Sequence, residues 1–576
     1  MSTFIRLTDY KNSDEKEQGF FDPKNRYEAK QEDFEKIPMT PIAFWMNNST
    51  WKLFKENQIL NNFSIVKRGP SVPSNQDYIR RWSELNSNSI TDNLFNVVDI
   101  SVDMAKWFLC NKIGGAEKWY AKTEDALLFV KDNNVINISN KSLMLKECIV
   151  WSDGRFGSSK FSARFLVHGH TVESTVNFIQ TTNIVKTLGY LNSKVAEYFL
   201  NITIEGQHFS PIYVKNIPFN DIDISQKNID LIEQNINISK EEWDSKEASW
   251  DFTKNELLKH KQDEQLENAL NAYASYWSDQ FNTLHANEEE LNRLFIDIYG
   301  LQDELTPDVD LKDITILKNE AKIIDDELVF QPDEIMKQFI SYGVGVMFGR
   351  YSLDHKGLHI ANMNESLEDA NLKFNIQNPT FEADEDNIIP IVDESDYFSD
   401  DMTERFIEFV RTTFGSEKLQ QNIAFIEAGL GKKLRAYFLK DFYTDHTKRY
   451  KKRPIYWLFS SPKGTFKALI YMHRYTPDTL NHILNDYLRP FRIRLDTMRN
   501  EALRVTESED VSARDKTQAD KRIDKIDKTL SDINEYEKTL AHYAAQRIEI
   551  DLDDGVKVNY CKFQDLLFKF DAKLCK

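Results

Sequence analysis

The chain has 576 residues and a formal charge of −19, too long for a single hydrophobic core, so three or four domains are expected. Its 41% hydrophobic and 29% charged residues fit a globular protein, and no run approaches the length of a membrane span. The opening MSTFIRLTDYKNSDEKEQ lacks the apolar centre of a secretory leader, which gives the expectation of a cytoplasmic protein.

Residues 1–60 start polar and then carry EDFEKIPMTPIAFW, where Pro38 and Pro41 set an extended path into Ile42 and Trp45. They read as a connector arriving from another unit. Residues 61–225 mix short β-like runs (NLFNVVDISV, ALLFV, KECIVW, SARFLV) with glycine turns at Gly114, Gly115, Gly154 and Gly157. LGYLNSKVAEYFL then places Leu188, Leu191, Val195 and Phe199 at helical spacing, and VKNIPF is extended. A mixed α/β domain is expected.

Residues 226–395 read as mostly helical. In NEEELNRLFIDIYG, Asn287 is the expected N-cap and Gly300 the stop. The glycines Gly343, Gly345 and Gly349 follow no strand, so close helix packing explains them better than a dinucleotide loop. NPTFEADEDNIIPIVDESD reads as an acidic linker. Residues 396–576 read as an α+β domain. Phe406, Phe409, Val410 and Phe414 share a helix face, and two strands meet at a turn over Ser461 to Gly464. Thr476-Pro477 is the expected start of a further helix. Between 495 and 547, Leu495, Met498, Ala502 and Val505, then Ile523, Ile526, Leu530, Ile533 and Leu540, step by three and four. This predicts a charged, coiled-coil-like helical hairpin, or two helices packed on the body. The fold class is thus α+β multidomain.

Cys110, Cys148, Cys561 and Cys575 form no C-x-x-C pair, so reduced thiols are the simple expectation. His168 and His170 lack a second ligand pair, and no metal site is predicted. SPKGTF has its Lys before its Gly, which excludes a phosphate loop. No catalytic constellation stands out.

Two basic segments do. From Lys448 to Tyr475, 28 residues hold eight Lys or Arg and no acid, beginning KRYKKR. Lys448, Arg449, Lys451, Lys452 and Arg453 beside Tyr450, Tyr456 and Trp457 suit phosphate contact with nucleic acid. The alternative is a cationic patch docked on the protein's own acidic surface. In WSDGRFGSSKFSARF, Arg155, Lys160 and Arg164 sit among small residues, as in a loop that follows a DNA groove. Arg80, Arg81, Lys67 and Arg68 add charge in the same domain.

Several long stretches, including GGAEKWYA, KECIVWSDGRFGSSKFSARF, LGYLNSKVAEYFL, EEWDSKEASWDF, SYGVGVMFGRYSLD and KRYKKRPIYWLFSSPKGTFKALIYMHRYTPDTLNHILNDYLR, occur in an order that resembles the C-terminal half of the PglX family. These are the adenine-specific DNA methyltransferases of BREX phage-defence systems. The resemblance implies an upstream Rossmann-like domain with a glycine-rich S-adenosylmethionine motif and an N-P-P-[YF] catalytic motif. This sequence shows neither; Asn378-Pro-Thr-Phe381 departs at its third residue. The resemblance therefore implies a target recognition domain at 61–225, double-stranded DNA as partner, and a methyltransferase domain in trans or other BREX proteins beside it. S-adenosylmethionine would be bound by the missing domain, and the chain alone would not be catalytic. The rival expectations are a protein-interaction scaffold of a defence complex and a complete methyltransferase with unrecognised motifs.

Overall fold

The computed structural model describes residues 2–8, 10–35, 37–91, 107–112, 115–129, 143, 145–154, 160–204, 206, 208–394, 397–571 and 575. The run NLFNVVDISV, Gly114, Gly157 and Arg155 lie outside them.

The architecture is α+β. Residues 61–225 build two sheets. The first orders its strands Ser64–Arg68, Val176–Thr181, Cys148–Ser152, Arg164–Leu166 and Trp119–Tyr120, antiparallel except for the last pair. Its central strand Cys148–Ser152 is buried throughout, and the two-residue period explains how. Ile149 and Trp151 face the main core, while Cys148 and Val150 face a second cluster with Leu166, Val172, Val176 and Phe178. The second sheet runs Thr171–Val172, Trp107–Asn111, Asp125–Leu128 and Ile79–Arg81. Trp82, Leu85, Trp107 and Leu109 pack in its own cluster.

LGYLNSKVAEYFL forms two helices, Ile184–Leu191 and Lys194–Thr203, rather than one. The break has a polar cause. Asn192 turns its amide to Ala163, accepting from its N–H at 2.8 Å and donating to its carbonyl at 3.0 Å. Ser193 then caps the second helix.

In the middle region the helix Leu266–Tyr299 runs for 34 residues and ends at Gly300, whose φ of +63° is the left-handed stop expected. Asn287 is not its N-cap. It lies buried inside the helix and donates to Gln234 and Asn235, both at 2.9 Å. The apolar periodicity upstream carries the helix through the acidic stretch that resembles a start signal. Gly343, in the helix Pro332–Met347, admits a neighbouring helix: a Cβ there would sit 2.8 Å from the Phe406 ring and 2.9 Å from the Phe409 ring.

The acidic segment expected as a linker is packed. Ile389–Pro390 is a strand beside Lys467–Tyr471, which pairs in turn with Tyr456–Ser460. Ile388, Ile389, Ile391 and Val392 are buried, so the apolar NIIPIV outweighs the flanking acids. The turn between the long strands is closed by Gly464 N–H to Ser461 O at 2.8 Å, as expected. Asp532 holds it, accepting from Lys463 N–H at 3.0 Å and from the Thr465 hydroxyl at 2.6 Å.

The next helix begins at Thr479, two residues beyond Pro477, and passes through a π-helical turn, Ile483–Leu488, into Arg489–Glu507. The latter pairs with Ala513–Ala544. Arg489 and Arg492 reach Glu537, and Arg499 reaches Asp527, a descending register that makes the pair antiparallel. Leu495, Met498 and Ala502 are buried, whereas Val505, near the tip, is exposed. Cys561 and Cys575 are disulfide-bonded across 14 residues, contrary to the reduced expectation; Cys110 and Cys148 are free and buried. The two sulfurs meet across 14 residues, and sequence spacing carries no signal for that. No helix among the described residues is long and apolar enough to cross a membrane.

Candidate nucleic-acid interface

The basic run starts at the C-terminal end of the helix Phe442–Arg449, where the helix dipole favours cations. Lys451 and Lys452 then adopt left-handed backbone, with φ of 47° and 62°. This tight turn fans the side chains apart, and most meet the protein's own acids. Lys451 Nζ lies 2.7 Å from Glu124, Lys452 Nζ 3.0 Å from Asp571, Arg453 Nε 3.8 Å from Glu84 and Arg449 Nε 3.9 Å from Glu247. Lys448 alone of the five is exposed with no carboxylate partner among the described residues. The expectation of a free five-cation row is therefore corrected. Four of the cations dock on acids supplied by distant parts of the chain.

Glu84 and Glu124 are the receiving groups. Glu84 is 2% exposed. It accepts the Arg81 N–H at 2.9 Å and the Val556 N–H at 2.6 Å, which stitches the second sheet to the C-terminal helix Gly555–Cys561. Glu124 takes both Arg81, at 2.5 Å, and Lys451. Arg80 adds a bond to the Asp553 carbonyl at 3.0 Å.

These contacts wall a cleft of about 520 Å³ between the two-sheet region and the C-terminal region. Arg80, Arg81, Lys112, Lys122, Arg164, Lys451, Arg453 and Lys557 line it, against Glu84, Glu117, Glu124, Asp125 and Asp554. Lys122 pairs with Glu242 outside the lining, at 3.0 Å, so seven cations face five carboxylates, an excess of positive charge in a chain whose total is −19. Burial first, then the neighbouring Glu124, push the Asp125 carboxyl up to about 6 against the pull of Arg81, so it still carries its charge at neutral pH.

Of the three expected groove contacts, the structure separates two. Arg164 belongs to a central strand, not a mobile loop, and is 1% exposed. The alternation of SARFLV turns Arg164 inward with Leu166, so it stands on the cleft lining and not on the outer surface. Burial pulls its guanidinium down to about 10, with Glu117 opposing. Lys160 is half exposed, pairs with Asp313 at 2.7 Å and lines a different cavity, of about 600 Å³. Arg155 lies outside the described residues. Lys112, Lys122 and Lys557 carry no signal in the sequence; each is an isolated lysine, and only the fold gathers them.

Asn378-Pro-Thr-Phe381 does not fit a methyltransferase catalytic motif. Phe381 is buried, with the Arg405 guanidinium 4.9 Å from its ring and Phe409 against its edge, so it has no face free for a base. His170 lies 3.2 Å from the Thr123 hydroxyl, and no metal-type cluster occurs among the described residues.

Fold and cleft together define an α+β region with a positively charged seam. No family model matches the chain. Over 98% of its length it is 35% identical to "Adenine-specific methyltransferase PglX" of Lacticaseibacillus casei (strain Zhang) and 32% identical to "Adenine-specific methyltransferase BrxX" of Escherichia coli O9:H4 (strain HS). In each case it spans 48% of the relative. The chain is a PglX-like region that corresponds to the C-terminal half of those proteins, about half the length of the curated relatives it matches.

Proposed function

We propose that this chain is the DNA-recognition portion of a BREX-type adenine-specific (N6-adenine) DNA methyltransferase acting in phage defence. The observation that carries the reading is the cation-rich cleft of a strongly acidic chain that is similar throughout to half of two adenine-specific methyltransferases. Duplex DNA is attracted by a local field, not by net charge. The two-sheet region 61–225 supplies one wall, and Lys451 and Arg453 with Asp554, Gly555, Lys557 and Val558 supply the other. S-adenosylmethionine and the methyl-transfer chemistry belong to a methyltransferase domain that acts beside this region, and other BREX proteins are its further partners.

Fluorescence anisotropy with labelled duplexes at about 50 and 150 mM salt tests the reading. Binding that weakens steeply with salt, and is tighter for one sequence, supports it. Absence of binding to any duplex at the lower salt overturns it. The scaffold reading is favoured by one observation, the pairing of four run cations with internal acids, and salt-independent capture of a defence protein without DNA would replace the first reading with it. Heat on titrating S-adenosylmethionine into the chain would point instead to a complete methyltransferase.

A further inference from the structure

Arg164 carries donors that the fold leaves unused. One terminal nitrogen donates to Ser152 Oγ at 3.2 Å. Its Nε and its other terminal nitrogen are buried without a partner among the described residues. Buried donors are nearly always satisfied, so an orphaned guanidinium on a cleft wall points to an absent acceptor. Glu117 stands on the same lining and also keeps a buried oxygen without a partner, so the two do not satisfy each other directly. Around them, Lys112 and Lys557 line the cleft with no carboxylate partner among the described residues. Arg81 and Lys451 are balanced by Glu124 and Asp125, so the unpaired charge of the lining rests with Lys112 and Lys557. A planar guanidinium with two nitrogens that lack an acceptor suits a tetrahedral oxyanion.

We propose that the cleft is a binding site for a phosphate-type anion, with Arg164 as the buried guanidinium and Lys112 and Lys557 as the flanking cations. The anion is either a phosphodiester of the DNA backbone or a free phosphorylated small molecule. Only the first source rests on the DNA reading above.

Calorimetry on the full chain with inorganic pyrophosphate, beside anisotropy with a duplex, separates the cases. The wild type is expected to bind pyrophosphate, and Arg164→Met, shown folded by circular dichroism, is expected to bind it at least tenfold more weakly. Glu117→Gln is the second variant and holds the proposal open to refutation if Arg164→Met does not fold. Removing the acid from the lining should tighten pyrophosphate binding several-fold. If Glu117 serves only as a counter-charge to Arg164, its loss leaves that binding unchanged or weaker, and the site does not exist. Wild-type affinity for pyrophosphate in folded Arg164→Met overturns the proposal equally. If Arg164→Met loses pyrophosphate and its log–log salt slope for duplex falls by about 0.9, the source is the DNA backbone. Loss of pyrophosphate with an unchanged duplex slope supports the site and assigns it to a free phosphorylated ligand. Pyrophosphate binding in a chain that binds no duplex keeps the site and rejects the DNA reading alone.

Discussion

Replacing Lys448, Arg449, Lys451, Lys452 and Arg453 by Ala distinguishes a basic run that grips DNA from one that staples the protein. If all five held phosphates, their removal would change the log–log salt slope of duplex binding by about 4–5. The structure lowers that figure. Arg449, Lys451, Lys452 and Arg453 each face an internal carboxylate, and a cation already neutralised releases little counterion. Lys448 remains, so the expected change is about 1. Stability should respond instead. Arg449 faces Glu247, which is 5% exposed, and removing one partner of a buried pair costs about 3 kcal/mol or more. Glu247 is already held above its ordinary value by burial, against the pull of Arg449 and Ser341. Without Arg449 its carboxyl rises further. The folded state then binds a proton that the unfolded chain has released, so the loss of stability deepens as pH climbs above about 4.5 and shrinks in acid. Anisotropy across a salt series gives the slope, and thermal unfolding at pH 5 and pH 8 gives the stability. A slope change of 4–5 with an unchanged melting temperature would refute the reasoning, because the run would then be free to hold phosphates.

Gly343→Ala should destabilise by about 1–3 kcal/mol, since its new methyl meets two phenyl rings on the helix Met402–Phe414; urea unfolding reads it. Asp384 is pushed up to about 7, by burial first and Asp386 second, so its proton stabilises the fold below about pH 4 and that contribution drains away as pH rises to 7. Asp384→Asn keeps an acceptor for the Ile388 N–H and should be more stable than wild type at pH 8, by about 1–3 kcal/mol in thermal unfolding, with little difference at pH 4. Asp532→Ala removes both acceptors from the turn at Lys463 and Thr465 and should cost about 2–3 kcal/mol, seen as faster hydrogen exchange in the strands Tyr456–Ser460 and Lys467–Tyr471.

What is legible in the sequence is local. The hairpin at Ser461–Gly464, the stop at Gly300, the face carrying Phe406, Phe409, Val410 and Phe414, and the apolar seam from Leu495 each depend on residues within a turn or two of one another. Asn287 misleads because an acid-rich helix interior and a helix start have the same composition. NIIPIV hides among acidic neighbours, although its own alternation suits a strand. The cleft is out of reach for a different reason. Glu124 and Lys451 are 327 residues apart, and no pattern within one segment records that a carboxylate elsewhere will claim its cation. Both basic clusters stand out in the sequence, yet the burial of Arg164 and its meeting with Lys451 and Arg453 in one cleft follow from tertiary packing alone.

Glu84 and Glu124 have a bearing on any exchange of parts between such proteins. Transplanting the two-sheet region between relatives would carry these acids away from Arg453, Lys451 and the Val556 amide on the other wall. A chimera that ignores the seam inherits stranded charges on both sides, so a graft of the two-sheet region should move matched residues from 449–453 and 553–557 with the donor sheets.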